Sequence, residues 1–307
     1  MRCLLLAALV GCGSGSPSTP PAPGDQPDGA SVSDAPPAAS CDANQPQPLD
    51  ATWNLMVGST MRVARVHVPA SYDPHKPTPL LFDVHGRTSN ASGEMSLSLS
   101  VPKSDAAGFI AIYPESATSP TSWNSGTCCD PANTTNVDDT GFFKQLLDEA
   151  GTRLCIDPSR VYMMGMSNGA YESFRLGCEM SDRLAAIGPV AGLLLFQGCQ
   201  PANPMPVMMI NGTSDPLSQY QYVAQGASFW KQHNGCTSSS TTYQNGDTTC
   251  VTSGGCNAGA DVTVCTVQDG GHQWPGGGVE LPFLGKKSND INSTDALWDF
   301  FVAHPRG

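Results

Sequence analysis

Basic side chains are scarce in this chain, with 15 Lys and Arg against 27 Asp and Glu in 307 residues, and nowhere do they cluster. That excludes the electrostatic footprint of a nucleic-acid binder, which needs a patch or stripe of positive charge. No apolar run approaches the roughly 20 residues of a membrane-spanning helix, so no internal span is expected. Nor do the cysteines form C-x-x-C pairs, the spacing on which structural zinc sites draw. The net charge of −12 says little more, because a surplus of carboxylates is ordinary for a soluble surface.

Cysteine itself is abundant. Of twelve, Cys3 and Cys12 fall near the N-terminus; the other ten are Cys41, Cys128, Cys129, Cys155, Cys178, Cys199, Cys236, Cys250, Cys256 and Cys265. With no metal spacing, these ten predict up to five disulfides and an oxidising compartment, either extracellular or the cell envelope. Connectivity stays open; Cys178–Cys199 and Cys250–Cys256 are the two pairs expected here.

The chain divides by composition. Residues 1–11 carry one positive charge and then a short apolar stretch, the pattern of a targeting signal. Leu9–Cys12 reads L-V-G-C and resembles the cleavage box of bacterial lipoproteins, which implies that Cys12 is lipidated and is the sole tie to a membrane. The alternative is an ordinary signal with a misplaced start. Residues 12–40 are rich in Gly, Ser, Pro, Ala and Asp, with too little apolar surface to offset chain entropy, and predict a disordered tether. Residues 41–307 are long enough for one domain with a full core.

Within that domain, apolar runs bounded by turn residues predict strands at Arg62–Val68, Leu80–Val84, Phe109–Tyr113, Val161–Gly165, Ala185–Val190, Val207–Ile210 and Val262–Val267. Helical patterns fall between them at Phe142–Ala150, Ala170–Cys178 and Tyr220–Gln232. A last one covers Thr294–Ala303, with Ser293 as its cap. This alternation implies an α/β fold: a mostly parallel sheet with helices on both faces. Thr237–Asp261 is polar and Gly-rich and reads as a surface insertion.

Gly165-Met166-Ser167-Asn168-Gly169 is the one G-x-S-x-G in the chain. The pentapeptide alone is weak, but it falls between a predicted strand and a predicted helix, the context of a nucleophile elbow. Serine needs a base to take its proton and an acid to orient that base, and in this arrangement both follow the serine, acid first. Of six histidines only His233, His272 and His304 follow Ser167. His272 lies in a Gly-rich loop after the last predicted strand, whereas His233 ends a helix and His304 lies beyond the last one. Asp215, directly after the strand Val207–Ile210, sits where α/β sites assemble. Asp261 is at the wrong end of its strand, and Asp138 and Asp139 suit a helix N-terminus. For the oxyanion, the expected donors are the N–H of Asn168 and one from the loop His85-Gly86-Arg87-Thr88, either Arg87 or Thr88. His85 precedes the serine and is expected to support that loop. Trp123 and Trp274 are candidates for an aromatic substrate wall, with plain packing as the competing reading.

Further motifs accompany this set: Y-P-E at Tyr113–Glu115, S-W-N at Ser122–Asn124, Cys128–Cys129, V-D-D-x-G-F at Val137–Phe142, N-G-T-x-D-P from Asn211, and G-G-H-x-W-P-G-G from Gly270. Together they resemble the secreted polyhydroxybutyrate depolymerase and feruloyl esterase family of α/β-hydrolases, over about Val63 to Trp274. The resemblance implies a Ser167–Asp215–His272 esterase acting, without a metal, on polyesters or on feruloyl or acetyl esters of plant polysaccharide. Two positions depart from it: Asn211 stands where relatives commonly have His, and Arg87 where they have Cys or a small residue. A binding lipoprotein that keeps the fold without catalysis, and a serine peptidase, are the alternatives.

Overall fold

The computed structural model describes Cys41 and residues 50–307. The expected signal, Cys12 and the tether lie outside the described residues. In chain order the elements are β1 (Asp50–Val57), β2 (Thr60–His67), β3 (Thr78–Val84), α1 (Ala91–Ser98), α2 (Ser100–Ala107), β4 (Ile110–Pro114), α3 (Asp139–Arg153), β5 (Ile156–Met166) and α4 (Asn168–Glu179). There follow β6 (Ala186–Val190), β7 (Val207–Gly212), α5 (Val223–His233), β8 (Ser238–Asn245), β9 (Thr248–Gly254), β10 (Val262–Val267) and α6 (Ser293–Ala303).

All ten strands form one sheet in the order β1-β2-β4-β3-β5-β6-β7-β10-β9-β8. The six from β4 to β10 run parallel, and an antiparallel pair extends the sheet at each edge. Side chains of the central strands are apolar on both faces, as a sheet covered on both sides requires. Leu80, Phe82 and Val84 of β3 join a core with α3, α4 and α5, in which Phe142, Phe143, Phe174 and Trp230 are buried. Leu81 points the other way, into a second core with α1 and α6 that includes Trp298 and Phe301. Each of these large side chains contributes on the order of 1.5–3 kcal/mol by leaving water.

The fold corrects three expectations. Thr237–Asp261 is not an insertion outside the sheet: β8 and β9 form a hairpin that continues it through β10. β8 is exposed along its whole length, so its Ser and Thr residues show none of the apolar alternation that marks a strand. Asn292, not Ser293, caps α6, its side chain accepting from the Asp295 N–H. Cys250 pairs with Cys265, its direct neighbour across β9 and β10, while Cys256 pairs with Cys236 at the base of the hairpin.

Cys178–Cys199 is present as expected, and Cys41–Cys155 and the adjacent Cys128–Cys129 complete five disulfides among the described residues. Cys41–Cys155 closes a loop of sequence separation 114. In the chain-entropy account, a loop of that length restrains the unfolded chain by about 4–5 kcal/mol. The double variant Cys41→Ser/Cys155→Ser is therefore expected to lose stability of about that size, read as a fall in the urea midpoint with a steeper slope, since the unfolded chain expands once the link is gone.

Candidate active site

Ser167 occupies the single residue between β5 and α4, with φ 56° and ψ −118°. A non-glycine residue seldom adopts a positive φ, and here the surrounding packing imposes it. Ser167 N–H donates to Val190 O at 3.0 Å, and Tyr171 N–H donates to Ser167 O at 2.9 Å. The flanking glycines are required by contact: a Cβ on Gly165 would lie 2.5 Å from Val84 O, and one on Gly169 would fall on that same oxygen and 2.8 Å from His85 O. The end of β3 thus presses directly against the elbow.

Asp215 follows β7. Its Oδ1 accepts the N–H groups of Leu217 (2.8 Å) and Ser218 (2.7 Å), which leaves Oδ2 facing His272 Nδ1 at 2.8 Å. That contact sets the tautomer: Nδ1 carries the proton donated to Asp215, and Nε2 is left as the basic nitrogen. The Ser218 hydroxyl donates to Ala191 O and lies 2.7 Å from the Tyr171 hydroxyl, tying the acid's loop to α4. The His272 loop is held by Gly271 N–H to Lys286 O and His272 N–H to Leu284 O, both 2.8 Å. Only glycine fits at 212 and 271, where a Cβ would strike Gly270 O and Leu284 O respectively.

Ser167 and His272 line one cavity of about 640 Å³. Its wall is largely apolar, with Leu97, Met166, Tyr171, Leu217, Leu281 and Phe283, and the Cys128–Cys129 disulfide also borders it. The segment from Val279 to Leu284 is a part of the wall that the sequence reading missed. It has no motif and is held at the cavity by the His272 N–H bond to Leu284 O and by the Gln273 side chain, which donates to Leu281 O and accepts from Leu281 N–H.

Trp123 and Trp274 do not form that wall, and this expectation is corrected. Both are fully buried and neither borders the cavity. Each indole N–H is spent inside the protein, Trp123 on His85 O and Trp274 on the Thr294 hydroxyl. Trp123 braces the site from behind. Its backbone N–H donates to Asn168 Oδ1 at 2.7 Å and its carbonyl accepts from Asn168 Nδ2 at 3.1 Å. The Asn168 side chain is thus a clamp, which fixes the first turn of α4 and its N–H groups.

In the loop after β3, the Thr88 N–H is committed to Thr121 O at 2.9 Å. The Arg87 side chain is exposed, and its Nε donates to Asp130 O at 3.0 Å, so it braces the loop next to the disulfide. His85 is wholly buried beneath. Its Nδ1–H donates to Gly86 O at 2.8 Å, and Nε2 accepts from Ser116 N–H at 3.3 Å. Accepting at Nε2 requires the neutral ring, and burial lowers its pKa to about 4.

The remaining candidates sit apart. Asp261 faces His304, with 3.7 Å between Oδ2 and Nε2, and His233 Nε2 meets Asn203 O. Asp138 caps α3, but Asp139 forms a buried ion pair with Arg62 at 2.8 Å and accepts from Asn124 N–H, so it anchors the loop that carries Trp123. Asn211 donates to Gly192 O behind the site.

Strand order, elbow and loop positions define the α/β-hydrolase fold. A solved acetyl xylan esterase from Aspergillus awamori superposes with a TM-score of 0.63 at 14% identity, over 82% of this chain and 99% of that one. By sequence, the chain is similar to feruloyl esterase B of Piromyces equi, 31% identical over 67% of this chain and 42% of the relative. It is also similar to a bifunctional acetylxylan esterase/xylanase of Neocallimastix patriciarum, 26% identical over 78% of this chain and 33% of the relative. The chain therefore spans less than half the length of these two relatives. No protein-family model matches it.

A neutral, buried His85 makes stability depend on pH. Its folded pKa lies below the unfolded value of about 6.5, so its contribution is complete above that value and is lost as pH falls toward about 4. A shift of this size corresponds to on the order of 3 kcal/mol. Denaturation at pH 4.5 and 6.5 is expected to show a stability difference that shrinks by a large part of that amount in His85→Gln.

Proposed function

We propose that this protein is an exported serine esterase that cleaves carboxylic esters through an acyl-enzyme on Ser167. One observation carries the reading: a serine in a strained strand-to-helix turn opens on the same cavity as a histidine whose Nδ1 is held by a buried aspartate. In this reading Ser167 Oγ attacks the ester carbonyl while His272 Nε2 takes its proton. Asp215 stabilises the imidazolium, and the Asn168 and Arg87 N–H groups receive the charge on the tetrahedral oxygen. Collapse expels the alcohol, which takes the proton from His272. Water, deprotonated by the same nitrogen, then releases the acid and frees Ser167.

The cavity and the relatives support a substrate class. An apolar space of about 640 Å³ beside the nucleophile far exceeds what an acetyl group fills and suits a bulky acyl group. The names of the relatives, a feruloyl esterase and an acetylxylan esterase/xylanase, suit that reading, and we take feruloyl esters as the preferred substrates, with acetylxylan and hydroxybutyrate polyesters as weaker ones. The five disulfides suit export, and we read Cys12 as the lipid-bearing residue that holds the catalytic domain at the cell surface through residues 13–40.

Ser167→Ala is expected to lower kcat on p-nitrophenyl acetate by at least about 1,000-fold, with the melting temperature nearly unchanged. Retained turnover would remove Ser167 from the chemistry. In a panel of methyl ferulate, acetylated xylan and hydroxybutyrate oligomers, the highest kcat/KM is expected for methyl ferulate. An aminoacyl amide cleaved as fast as its ester would make the protein a peptidase instead.

A further inference from the structure

Beneath the loop that carries Arg87 lies a group of buried acids that the chemistry above does not use. Asp83, near the end of β3, and Glu94, on α1, are both wholly buried. Asp83 Oδ2 accepts from the hydroxyls of Ser98 and Ser100, each at 2.6 Å, and Ser100 Oγ lies 2.6 Å from the Tyr113 hydroxyl of β4. Asp83 Oδ1 and both carboxyl oxygens of Glu94 have no hydrogen-bond partner among the described residues.

No cation balances them. The basic groups on the surrounding elements are engaged elsewhere: Arg65 and His85 face Glu115, His67 lies between Asp50 and Asp105, and Lys103 of α2 pairs with Asp295. What faces the two acids is each other, two serine hydroxyls and a phenol. Two carboxylates so enclosed, without a counter-charge, are strongly disfavoured, and protonation relieves both the burial and the repulsion.

We propose that Asp83 and Glu94 are held as neutral acids that position the oxyanion loop, and that their ionisation sets the alkaline limit of the enzyme. The link to the loop is direct. Asp83 stands two residues before His85, and Glu94 borders the cavity alongside Gly86 and Arg87. Burial raises Asp83 to about 7, and burial together with the Asp83 charge holds Glu94 well above the usual carboxylate range. Burial and the Asp83 charge also push Tyr113 up, so its phenol remains a donor. Both acids bind their protons more tightly when folded. The stability they contribute is complete at acid pH and is lost as pH rises through about 7. As they ionise, the loop above them loses its support. Asp83 and Glu94 are thus positioning residues and do not touch the reacting atoms.

The kinetic part of this inference rests on the esterase reading; its structural part does not. Glu94→Gln keeps the shape of a protonated acid but cannot ionise. The urea midpoint of the unaltered protein is expected to fall between pH 6 and 9, and Glu94→Gln to flatten that fall. On p-nitrophenyl acetate the same variant is expected to move the alkaline limb of kcat upward by about one pH unit, the change lying in kcat and not in KM. Asp83→Asn provides a second variant, expected to shift both profiles in the same direction. The unaltered protein near pH 6 is expected to show the infrared carbonyl stretch of protonated buried carboxyls, which Glu94→Gln weakens by removing one of the two contributors. Profiles of both variants that run parallel to the parent at every pH, or the absence of that band from the parent, would overturn the proposal. A protein without esterase activity would remove the kinetic test, and the midpoint and infrared results would still decide the state of the pair.

Discussion

At the centre of the sheet the carbonyl end of β3 sits where side chains of residues 165 and 169 would otherwise be. This close approach of backbone to backbone organises the site. It forces Ser167 into a positive φ at the strand-to-helix turn, and it brings the loop that follows β3 beside the first N–H groups of α4. Nucleophile and proposed oxyanion donors are thus set by one contact that side chains would prevent. The same device recurs on the other flank, where Gly212 and Gly271 let the loops carrying Asp215 and His272 meet. Bare backbone, not an added side chain, makes the site compact.

Around that centre the supports are polar and buried. Asn168 clamps Trp123 through two hydrogen bonds, Trp123 holds His85 O, and His85 bridges Gly86 O and Ser116 N–H. Asp139 and Arg62 hold the far side of the same loop. Each link satisfies a group whose burial would otherwise be costly, so the network stands or falls as a unit. Preorganisation of this kind is what oxyanion stabilisation requires, because donors must not rearrange as charge develops. Disulfides act at a coarser level. Cys250–Cys265 and Cys236–Cys256 secure the hairpin at one edge of the sheet, and Cys41–Cys155 ties the chain ahead of β1 to the start of the central strand β5.

Titration within the site is divided between opposite environments. His85 is buried among partners that need it neutral, while Asp83 and Glu94 are buried with only each other and hydroxyls for company. One makes the fold weaker in acid, the others in base. Between these limits lies the pH range in which the loop above them is held in one shape.

Much of the centre was legible in the chain. Seven of the ten strands and the helices that follow the elbow announce themselves by local periodicity, and Ser167, Asp215 and His272 by their order and by the strands that precede them. These are short-range properties, carried by neighbours a few residues apart. The β8–β9 hairpin was not legible, since an edge strand bathed by solvent needs no apolar alternation. Trp123 and Trp274 look like surface binders in a one-dimensional reading because nothing local reports that a tryptophan is buried. The pairing of Cys250 with Cys265 followed strand register instead of sequence proximity to Cys256, and the orphan carboxyls of Asp83 and Glu94 exist only because β3 and α1 pack together. By itself the sequence determined the order of the elements and which residues have the chemistry to react. Tertiary structure alone decided which of them share a cavity, which are sealed from water and which charges lack a partner, because burial and pairing are set by contacts between residues far apart in the chain.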